Sequence, residues 1–514
     1  RDLHLSLRRQ RQMCIRDRIN GDLSSSVVKR ERFTLPQINL ITPEFVDFNV
    51  PEGYKYIKAR LWYPCFYFGI NVPGFFNLVN ITFPPGDPNL ELFCKYNDEW
   101  MQVSATLGWN QKFGMDLEYA GTYVYENGPW RAASTDVPTH SVDNKKPVEV
   151  HRGIGVLALG RYGTFMEALK NNFNVNYYID IEMYPGKVLK LPVKPPYGCT
   201  NATFKLTWTD PNVHLGFSLI GPGGEEVLTA SEKNDEGYQE FNLSRLGECK
   251  DDETYSICVF TMDDISSKVD FKIEYRWEQG ISKDIGNSLT SASEGAVLAS
   301  LINSPLIYTE RNNLPDVTKD VLYKLGVKRI YLIDIGGRLS QDVINELKGT
   351  FSIKHYTSLE DVYDKIRELT DSNDVVFSTL DPWSYWFVNE KKPAGEYKGS
   401  LFIGPATYIA SHHGTPVLIV DNHPELSSAI VWHTEYWKRN AADPKAVLPS
   451  VAEMYLTGKR VYNFLKEHGF DREGMETIIT VAGQFDIGAS WDRVFTGKAK
   501  PGRFFGSPVD TSYW

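Results

Sequence analysis

The chain has 514 residues, 13% of them aromatic, and a formal net charge of -10 at pH 7. An acidic surface repels a phosphate backbone, which excludes nucleic acid as the main partner. No run reaches the roughly 18 apolar residues that a membrane-spanning helix requires, and the length predicts about two to four domains.

Residues 1–18 (RDLHLSLRRQRQMCIRDR) differ in composition from the rest of the chain. They resemble the translation of a sequencing-library adapter, and a basic interaction arm is the alternative interpretation. We treat the run as an artefact and leave it out of the fold argument. The chain also stops in mid-pattern at Trp514, so we expect natural sequence, including any signal peptide or anchor, to be missing at both ends.

Residues 19–176 predict a β-rich module whose family the sequence does not reveal. Strand-like runs such as Tyr56–Tyr63 and Val103–Leu107 are separated by clusters of Pro and Gly, the pattern of short strands joined by turns. We expect a sandwich or a jelly roll.

Residues 177–277 predict a second β-sandwich. Alternating strands are indicated at Thr203–Pro211, Leu215–Ile220, Thr254–Phe260 and Asp270–Tyr275. Their TWTDP strand, the turn after Ile220 and the late strand with Tyr255 resemble the pre-peptidase C-terminal domain. The resemblance implies an accessory module of a secreted protein.

Cysteines and glycosylation sequons point to an exported protein. None of the cysteines after residue 18 forms a metal-type CxxC pair, so disulfides are the expectation: Cys65 with Cys94, and Cys199 with Cys249 or Cys258. Sequons for N-linked glycosylation occur at Asn80, Asn201 and Asn242. We expect an extracellular, cell-surface location; a cytosolic protein with free thiols and unused sequons is the alternative.

A polar linker at residues 278–293 precedes a predicted α/β region at residues 294–514. Helices are expected from Ala296 and from Asp316, a further helix is expected after a Ser340 cap, and buried strands are expected at Leu306–Thr309 and Arg329–Ile333. Continuous apolar strands between helices favour a parallel sheet covered on both faces. The predicted fold class is therefore multidomain: all-β sandwich modules followed by a duplicated, Rossmann-like parallel-sheet domain.

This α/β region resembles the type 2 cell-wall-binding repeat. The resemblance rests on the order of Pro305–Thr309, Leu314-Pro315, Leu325–Arg329, Ile330–Ile333, Gly336-Gly337 and Ser340. It implies non-covalent attachment to an envelope polymer or to neighbouring surface proteins. A tight turn is the expected role of Gly336-Gly337, because the spacing of a dinucleotide-binding loop is absent.

An internal comparison predicts that the module occurs twice. Leu298–Thr309 aligns without a gap on Ile409–Val420, and Arg329–Gly336 matches Thr477–Gly483 in pattern. The second copy carries an insertion that the compact family repeat lacks, which puts direct transfer of the family's ligand in doubt.

One group of residues has the composition of a metal site. His, Asp and Glu on the loop beyond a parallel strand can bind a divalent ion, and the candidates here are His412, His413, Asp421, His423, His433 and Glu435. The repeat alignment places His412 and His413 where Leu301 and Ile302 stand, so we assign no metal and no cofactor and expect a dispersed set or a polar patch.

No catalytic residue is assigned. A gingipain-like cysteine peptidase would need a nucleophile after His413, where the chain has no cysteine, and a serine hydrolase would need a GxSxG elbow, which Gly488–Asp492 lacks. The sequence therefore predicts a non-catalytic surface protein that binds an envelope polysaccharide or assembles with other surface proteins. The alternative is a secreted hydrolase, gingipain-like or metal-dependent, with catalytic residues beyond the C-terminus.

Overall fold

The computed structural model describes residues 15–35, 44–62, 66–69, 80–83, 89–96, 98–105, 117–135, 177–243, 245–380, 400–431, 448–449, 451–470, 476–482 and 500–505. The first half of the chain is built from strands. In chain order they are β1 (Ile15–Leu23), β2 (Lys29–Leu35), β3 (Glu44–Val50), β4 (Tyr54–Trp62), β5 (Phe66–Gly69), β6 (Asn80–Phe83), β7 (Asn89–Tyr96), β8 (Glu99–Ala105), β9 (Leu117–Tyr123), β10 (Gly128–Thr135), β11 (Tyr177–Lys190), β12 (Cys199–Trp208), β13 (Leu215–Ile220), β14 (Glu226–Ala230), β15 (Tyr238–Leu243), β16 (Ser256–Thr261) and β17 (Val269–Gln279).

Helices and short strands follow in the second half. They are α1 (Lys283–Leu301), α2 (Asp316–Lys324), β18 (Arg329–Ile333), α3 (Gln341–Thr350), β19 (Ser352–Tyr356), α4 (Leu359–Glu368), β20 (Val375–Ser378), α5 (Ser400–His413), β21 (Val417–Ile419), β22 (Leu448–Pro449), α6 (Val451–Glu467), β23 (Thr477–Ala482) and β24 (Lys500–Phe505). Ser340 accepts a hydrogen bond from the Val343 amide and caps α3, which confirms that predicted helix start.

Two sandwiches form the strand-rich half. In the first, the sheet β22-β8-β7-β10-β3 packs against β2, β4, β9 and the start of β11. In the second, the sheet β1-β17-β12-β15 packs against β13, β14 and β16. Alternation of buried and exposed residues along β17 produces this packing, because successive side chains of a strand point to opposite faces.

Strand β11 belongs to both sandwiches. Its residues 178–185 pair with β4, and its residues 186–190 pair with β16, so that β14-β13-β16-β11-β4-β9 is one continuous sheet. Ile179, Ile181 and Met183 enter the first core, while Leu189 packs on the second. The predicted boundary at residues 176/177 therefore lies before three residues of the first core, and the two cores share a sheet.

The strand β1 also bears on the adapter interpretation. Ile15–Arg18, the end of the excluded run, pair in register with Glu274–Trp277 of β17. The pairing continues through Ile19 to Leu23. The boundary drawn at residue 18 thus falls inside a strand of the second sandwich.

The predicted fold class is wrong. The protein is mostly antiparallel sheet, and the parallel strands described in the second half are divided between a two-stranded sheet, β18-β19, and a four-stranded sheet, β21-β20-β23-β24. A Rossmann-like sheet needs strands buried on both faces. β18 has only one buried residue, Leu332, and cannot serve as such a strand.

The duplication fails at its first strand. Val417–Ile419 form β21, but the aligned residues Leu306–Thr309 adopt no regular secondary structure, and Tyr308 is 65% exposed. The aligned helices do occur, as α1 and α5, and pack together through a 2.6 Å hydroxyl pair between Ser293 and Thr407. The helices α1 and α5 are therefore followed by different structures. The ungapped match between the two sequence segments does not identify two equivalent modules.

The predicted linker is structured. Ser282 accepts a hydrogen bond from the Ile285 amide and starts α1 eleven residues before the predicted end of the linker. Thr290 and Ser291 donate to the carbonyls of Gly286 and Asn287, so that polar side chains are satisfied inside the helix. None of the helices in the described part of the chain has the length and apolar character needed to cross a membrane.

We predict that Ile181→Ala lowers the free energy of unfolding by about 2 to 5 kcal/mol, because Ile181 is fully buried in the first core and its loss leaves a cavity. Equilibrium unfolding in urea measures the change. Lys190→Ala, an exposed position on the same strand, serves as the control and should change stability by less than about 0.5 kcal/mol. Equal effects of the two variants would contradict the sandwich packing.

Candidate functional site

Asp421 is the candidate that the structure holds most tightly. It lies in the 3-10 turn Val420–Asn422 after β21. Its Oδ1 accepts a 2.6 Å hydrogen bond from Arg245 Nη2, and its Oδ2 accepts from Thr379 Oγ1 and from the Leu380 amide, each at 2.7 Å. The pair Arg245–Asp421 is buried, with side chains 7% and 4% exposed. Both carboxylate oxygens are thus occupied by protein donors.

His423 is buried in an apolar environment. Its Nε2 lies 3.0 Å from the Tyr363 hydroxyl, and its ring centroid lies 4.7 Å from that of Phe464. Burial, together with the smaller effect of the nearby His468, lowers the pKa of His423 to about 3. The imidazole is therefore neutral at physiological pH and serves in the packing of the core.

His412 and His413 at the end of α5 face different neighbours. His413 Nδ1 lies 2.6 Å from Asp374 Oδ2, while His412 is exposed and packs edge-on against Tyr408. His433 and Glu435 lie outside the described residues. Within the described residues no group of three or more His, Cys, Asp or Glu side chains could hold a metal ion.

The sequence did not reveal the partner of Asp421, which comes from the second sandwich. Arg245 belongs to the segment 245–253, which contacts residues 421–428 and Arg460; we call these residues together the junction. Lys250 pairs with Glu425 at 2.6 Å, Arg460 pairs with Glu253, and the Glu248 amide donates to Ser427 Oγ. The loop after β15 is thereby fixed to the second half of the chain.

Glycine is required at the closest approach in the junction. A Cβ at Gly247 would lie 2.2 Å from the Ser427 carbonyl oxygen, closer than any real contact allows. Nearby, the Tyr197 hydroxyl donates to Asn422 Oδ1, and Asn422 Nδ2 donates to Thr290 Oγ1, both at 2.6 Å. The ion pairs of the junction and the hydrogen bonds of Asn422 therefore both hold the second sandwich against the helical half of the chain.

Glu225 is a buried acid beside the junction. Glu225 follows the tight turn Gly221–Gly224. Its carboxylate packs against Gly221, where a Cβ would lie 2.1 Å from Glu225 Oε1. Burial raises the pKa of Glu225 from 4.5 to about 7, although the positive charge of Arg460 opposes the shift. The side chain therefore changes protonation near neutral pH.

A cleft between α1 and β18 is the candidate binding site. It encloses about 910 Å³, a volume typical of small-ligand sites. Its floor is apolar and includes Leu298, Ile302 and Leu332, and the segment 304–309 forms one wall. Because that segment does not pair with β18, the cleft occupies the place where the sequence predicted a strand.

Cations line both ends of the cleft. Arg311 and Arg338 lie at the carboxyl end of β18, and Lys328 and Arg329 lie at its amino end. Arg338 Nε and Arg311 Nη1 share one carboxylate oxygen, Asp284 Oδ1, at 2.9 and 3.2 Å. A second carboxylate, Asp334, lies at the same end, so the net positive charge of the cleft comes from the two cations at its amino end.

The Gly336-Gly337 turn next to the cleft uses its amides internally. Gly336 N donates to the Thr357 carbonyl and Gly337 N to the Asp334 carbonyl. Both glycines have positive φ, +84° and +61°, which other residues rarely adopt. The expectation of a tight turn is confirmed, and these amides are not available to an anion.

Four of the candidate cysteines are described, and all are buried free thiols. Cys199 Sγ donates to the Asn201 carbonyl, Cys249 Sγ to that of Glu253, and Cys258 Sγ to that of Lys55. The expected bridge from Cys199 is therefore not formed. Burial raises the pKa of the Cys94 thiol to about 12, and its expected partner, Cys65, lies outside the described residues.

The sequons lie on strands. Asn242 is exposed on β15, where its Oδ1 accepts a 2.7 Å hydrogen bond from Thr203. Asn201 is half-buried on β12, and Asn80 begins β6. Asn242 is therefore more accessible than Asn201.

No family model and no curated protein matches the chain. Among solved structures it is similar to the PBSX exported protein XepA, at 7% identity and a TM-score of 0.11, over 51% of this chain and 86% of that one. It is similar to tripeptidyl peptidase 2 at 5% identity and a TM-score of 0.14, over 53% of this chain and 27% of that one. It is similar to the STIV MCP at 9% identity and a TM-score of 0.15, over 48% of this chain and 96% of that one. TM-scores this low carry no argument about fold or function.

We predict that Asp421→Ala lowers the free energy of unfolding by about 3 to 5 kcal/mol, because it leaves Arg245 buried without its carboxylate. Urea denaturation measures the loss. The double variant Arg245→Met, Asp421→Leu should recover most of it, since neither buried charge remains. A loss below about 0.5 kcal/mol for Asp421→Ala would contradict the tight burial of the pair.

We predict that stability falls as the pH rises from 4.5 to about 7 through Glu225. Between these values the unfolded chain has released the proton that the folded chain still binds, so the free energy of unfolding decreases by about 3 kcal/mol. Glu225→Gln should remove this component in urea titrations at pH 4.5, 6 and 8. An unchanged pH dependence in Glu225→Gln would refute the assignment.

Proposed function

We propose that this protein is a non-catalytic, extracellular cell-surface protein that binds an envelope polymer or a neighbouring surface protein. The cleft between α1 and β18 carries the proposal. It combines an apolar floor, a volume of about 910 Å³ and cations at both ends, and its position in the region that resembles the cell-wall-binding repeat supports the same function.

The candidates for catalysis support binding over chemistry. Asp421 has both oxygens occupied, and His423 is enclosed by aromatic rings. A hydrolase needs a nucleophile, a base and an oxyanion donor that meet within about 3 Å of a reacting atom. Among the candidates that the structure describes, Asp421 and His423 contact different neighbours. Their side chains therefore do not converge on one reacting atom.

Charge complementarity favours an anionic ligand for the cleft. Arg311 and Arg338 at one end form a guanidinium pair, and a guanidinium binds a carboxylate or a phosphate through two parallel hydrogen bonds. Asp334, the acid that also lines the cleft, is already bonded to His355 at 3.0 Å and to the Arg338 amide at 2.8 Å.

We predict that the full chain co-sediments with purified bacterial peptidoglycan that retains its anionic polymers, and that Arg311→Gln with Arg338→Gln weakens this binding at least about tenfold. The loss follows from removal of the paired guanidinium groups. Arg276→Gln, at an exposed position on the second sandwich, is the matched control and should bind as the parent does. The bound fraction in the pellet, measured against protein concentration, checks the prediction.

Two outcomes would contradict the proposal. One is equal co-sedimentation of the cleft variant and the control. The other is hydrolysis of the peptidoglycan by the purified chain, with soluble fragments in the supernatant, which would favour the alternative of a secreted hydrolase.

A further inference from the structure

The outer face of the first sandwich carries aromatic and charged side chains on neighbouring strands. On β11 and β4 the residues Ile57, Ala59 and Leu61 and Ile179, Ile181 and Met183 point into the core. The alternate residues point outward, and they include a row of aromatic and charged side chains. We call this set the outer face: Arg30, Arg32, Arg60, Trp62, Tyr119, Tyr178, Asp180 and Glu182.

A hydrogen-bonded network fixes the charged members of the outer face. Arg32 donates through Nε and Nη2 to the two oxygens of Asp180, at 2.6 and 2.7 Å, and Trp62 Nε1 donates to Asp180 Oδ2 at 2.7 Å. Arg60 and Arg30 donate to Glu182 at 3.2 and 3.3 Å. The side chains are thus held in place before any ligand arrives, which lowers the entropy cost of binding.

Each arginine of the outer face lies beside a carboxylate. Arg30, Arg32 and Arg60 face Asp180 and Glu182, and Arg30 also lies 3.6 Å from Asp264, so the arginines of the outer face are matched in number by the carboxylates around them. The arginines also face water, since the side chains of Arg32 and Arg30 are 62% and 50% exposed. Each guanidinium has five N–H donors, and the two that Arg32 gives to Asp180 leave others for an anion.

The aromatic rings lie across three neighbouring strands. Tyr178 pairs in register with Trp62, and Tyr119 pairs with Arg60, one strand further along. Strands lie about 4.8 Å apart, so the three rings span roughly 10 Å, about the length of two sugar rings. Tyr119 is 43% exposed, and the cation of Arg60 lies 5.8 Å from its ring centroid.

From this arrangement we propose that the outer face binds an acidic polysaccharide. The rings of Tyr178, Trp62 and Tyr119 stack on the C–H faces of successive sugars, and the exposed guanidinium groups pair with sugar carboxylates. The inference rests on the proposed binding of an envelope polymer. It names the polymer class and places it at a second site, away from the cleft.

Two features of the outer face favour a polysaccharide over a protein partner. The outer face lies within the seven-stranded sheet, and its central strands β11 and β4 have neighbours on both sides. Strand addition is therefore closed to these two strands, and among the described strands only β2 and β9 lie at edges of the face. Both carboxylates pair with arginines, and the hydrogen bond from the Arg32 guanidinium lowers the pKa of Asp180, which keeps that carboxylate ionised. A sheet face with one exposed ring, Tyr119, two half-buried rings and fixed polar groups matches a chain of hydroxylated rings.

The experiment titrates the full chain with polygalacturonate by affinity electrophoresis and by calorimetry, with a neutral glucan in parallel. We expect binding to polygalacturonate that weakens as salt is raised, and binding to the neutral glucan at least tenfold weaker. Arg32→Gln and Tyr119→Ala should each reduce the affinity at least tenfold. Their thermal midpoints should remain within a few degrees of the parent.

Matched controls separate this site from other surfaces. Tyr238→Ala removes a ring from the second sandwich that carries the Lys205 cation 3.9 Å from its centroid, and it should leave polygalacturonate binding unchanged. The cleft variant Arg311→Gln with Arg338→Gln should also leave it unchanged, even if peptidoglycan binding is lost.

Three results would overturn the inference. They are absence of binding to polygalacturonate by the parent chain, equal affinity for the neutral glucan, and equal loss of affinity in Tyr238→Ala and Tyr119→Ala. Since none of these depends on the cleft, the outer face can fail while the proposed function stands, and the reverse also holds.

Discussion

The arrangement of the two halves depends on the buried ion pair between Arg245 and Asp421. Each charge loses its water on folding, a cost that only a close partner and further hydrogen bonds offset. Thr379 and the Leu380 amide supply those bonds on the side of Asp421. The pair therefore has one acceptable geometry, which fixes the loop after β15 against the turn that follows β21.

A second constraint is the sharing of one sheet by two cores. β11 runs from the first sandwich into the second, and a change in its register would move every core side chain of the strand to the outer face. β22 adds to this coupling, because Leu448 and Pro449 pair with Ala105 and Ser104 of β8. The strand-rich half and the helical half are thus joined by backbone pairing as well as by the junction.

Charge is distributed in a way that suits binding at a polymer surface. The chain is acidic as a whole, yet arginines lie at the cleft and on the outer face. Apolar or aromatic groups lie beside them in both places. Two separated sites on one chain would let a polymer bind twice, which raises the overall avidity without any new contact.

The sequence determined the local elements. Alternation predicted the strands that became β12, β13, β16 and β17, and the cap at Ser340 predicted the start of α3, because both signals depend on neighbouring residues alone. Only the tertiary structure decided what these elements pack against. Arg245 and Asp421 are 176 residues apart, so no periodicity connects them. Leu306–Thr309 has the composition of a buried strand but stays unpaired, because pairing depends on a partner edge that the local sequence cannot specify.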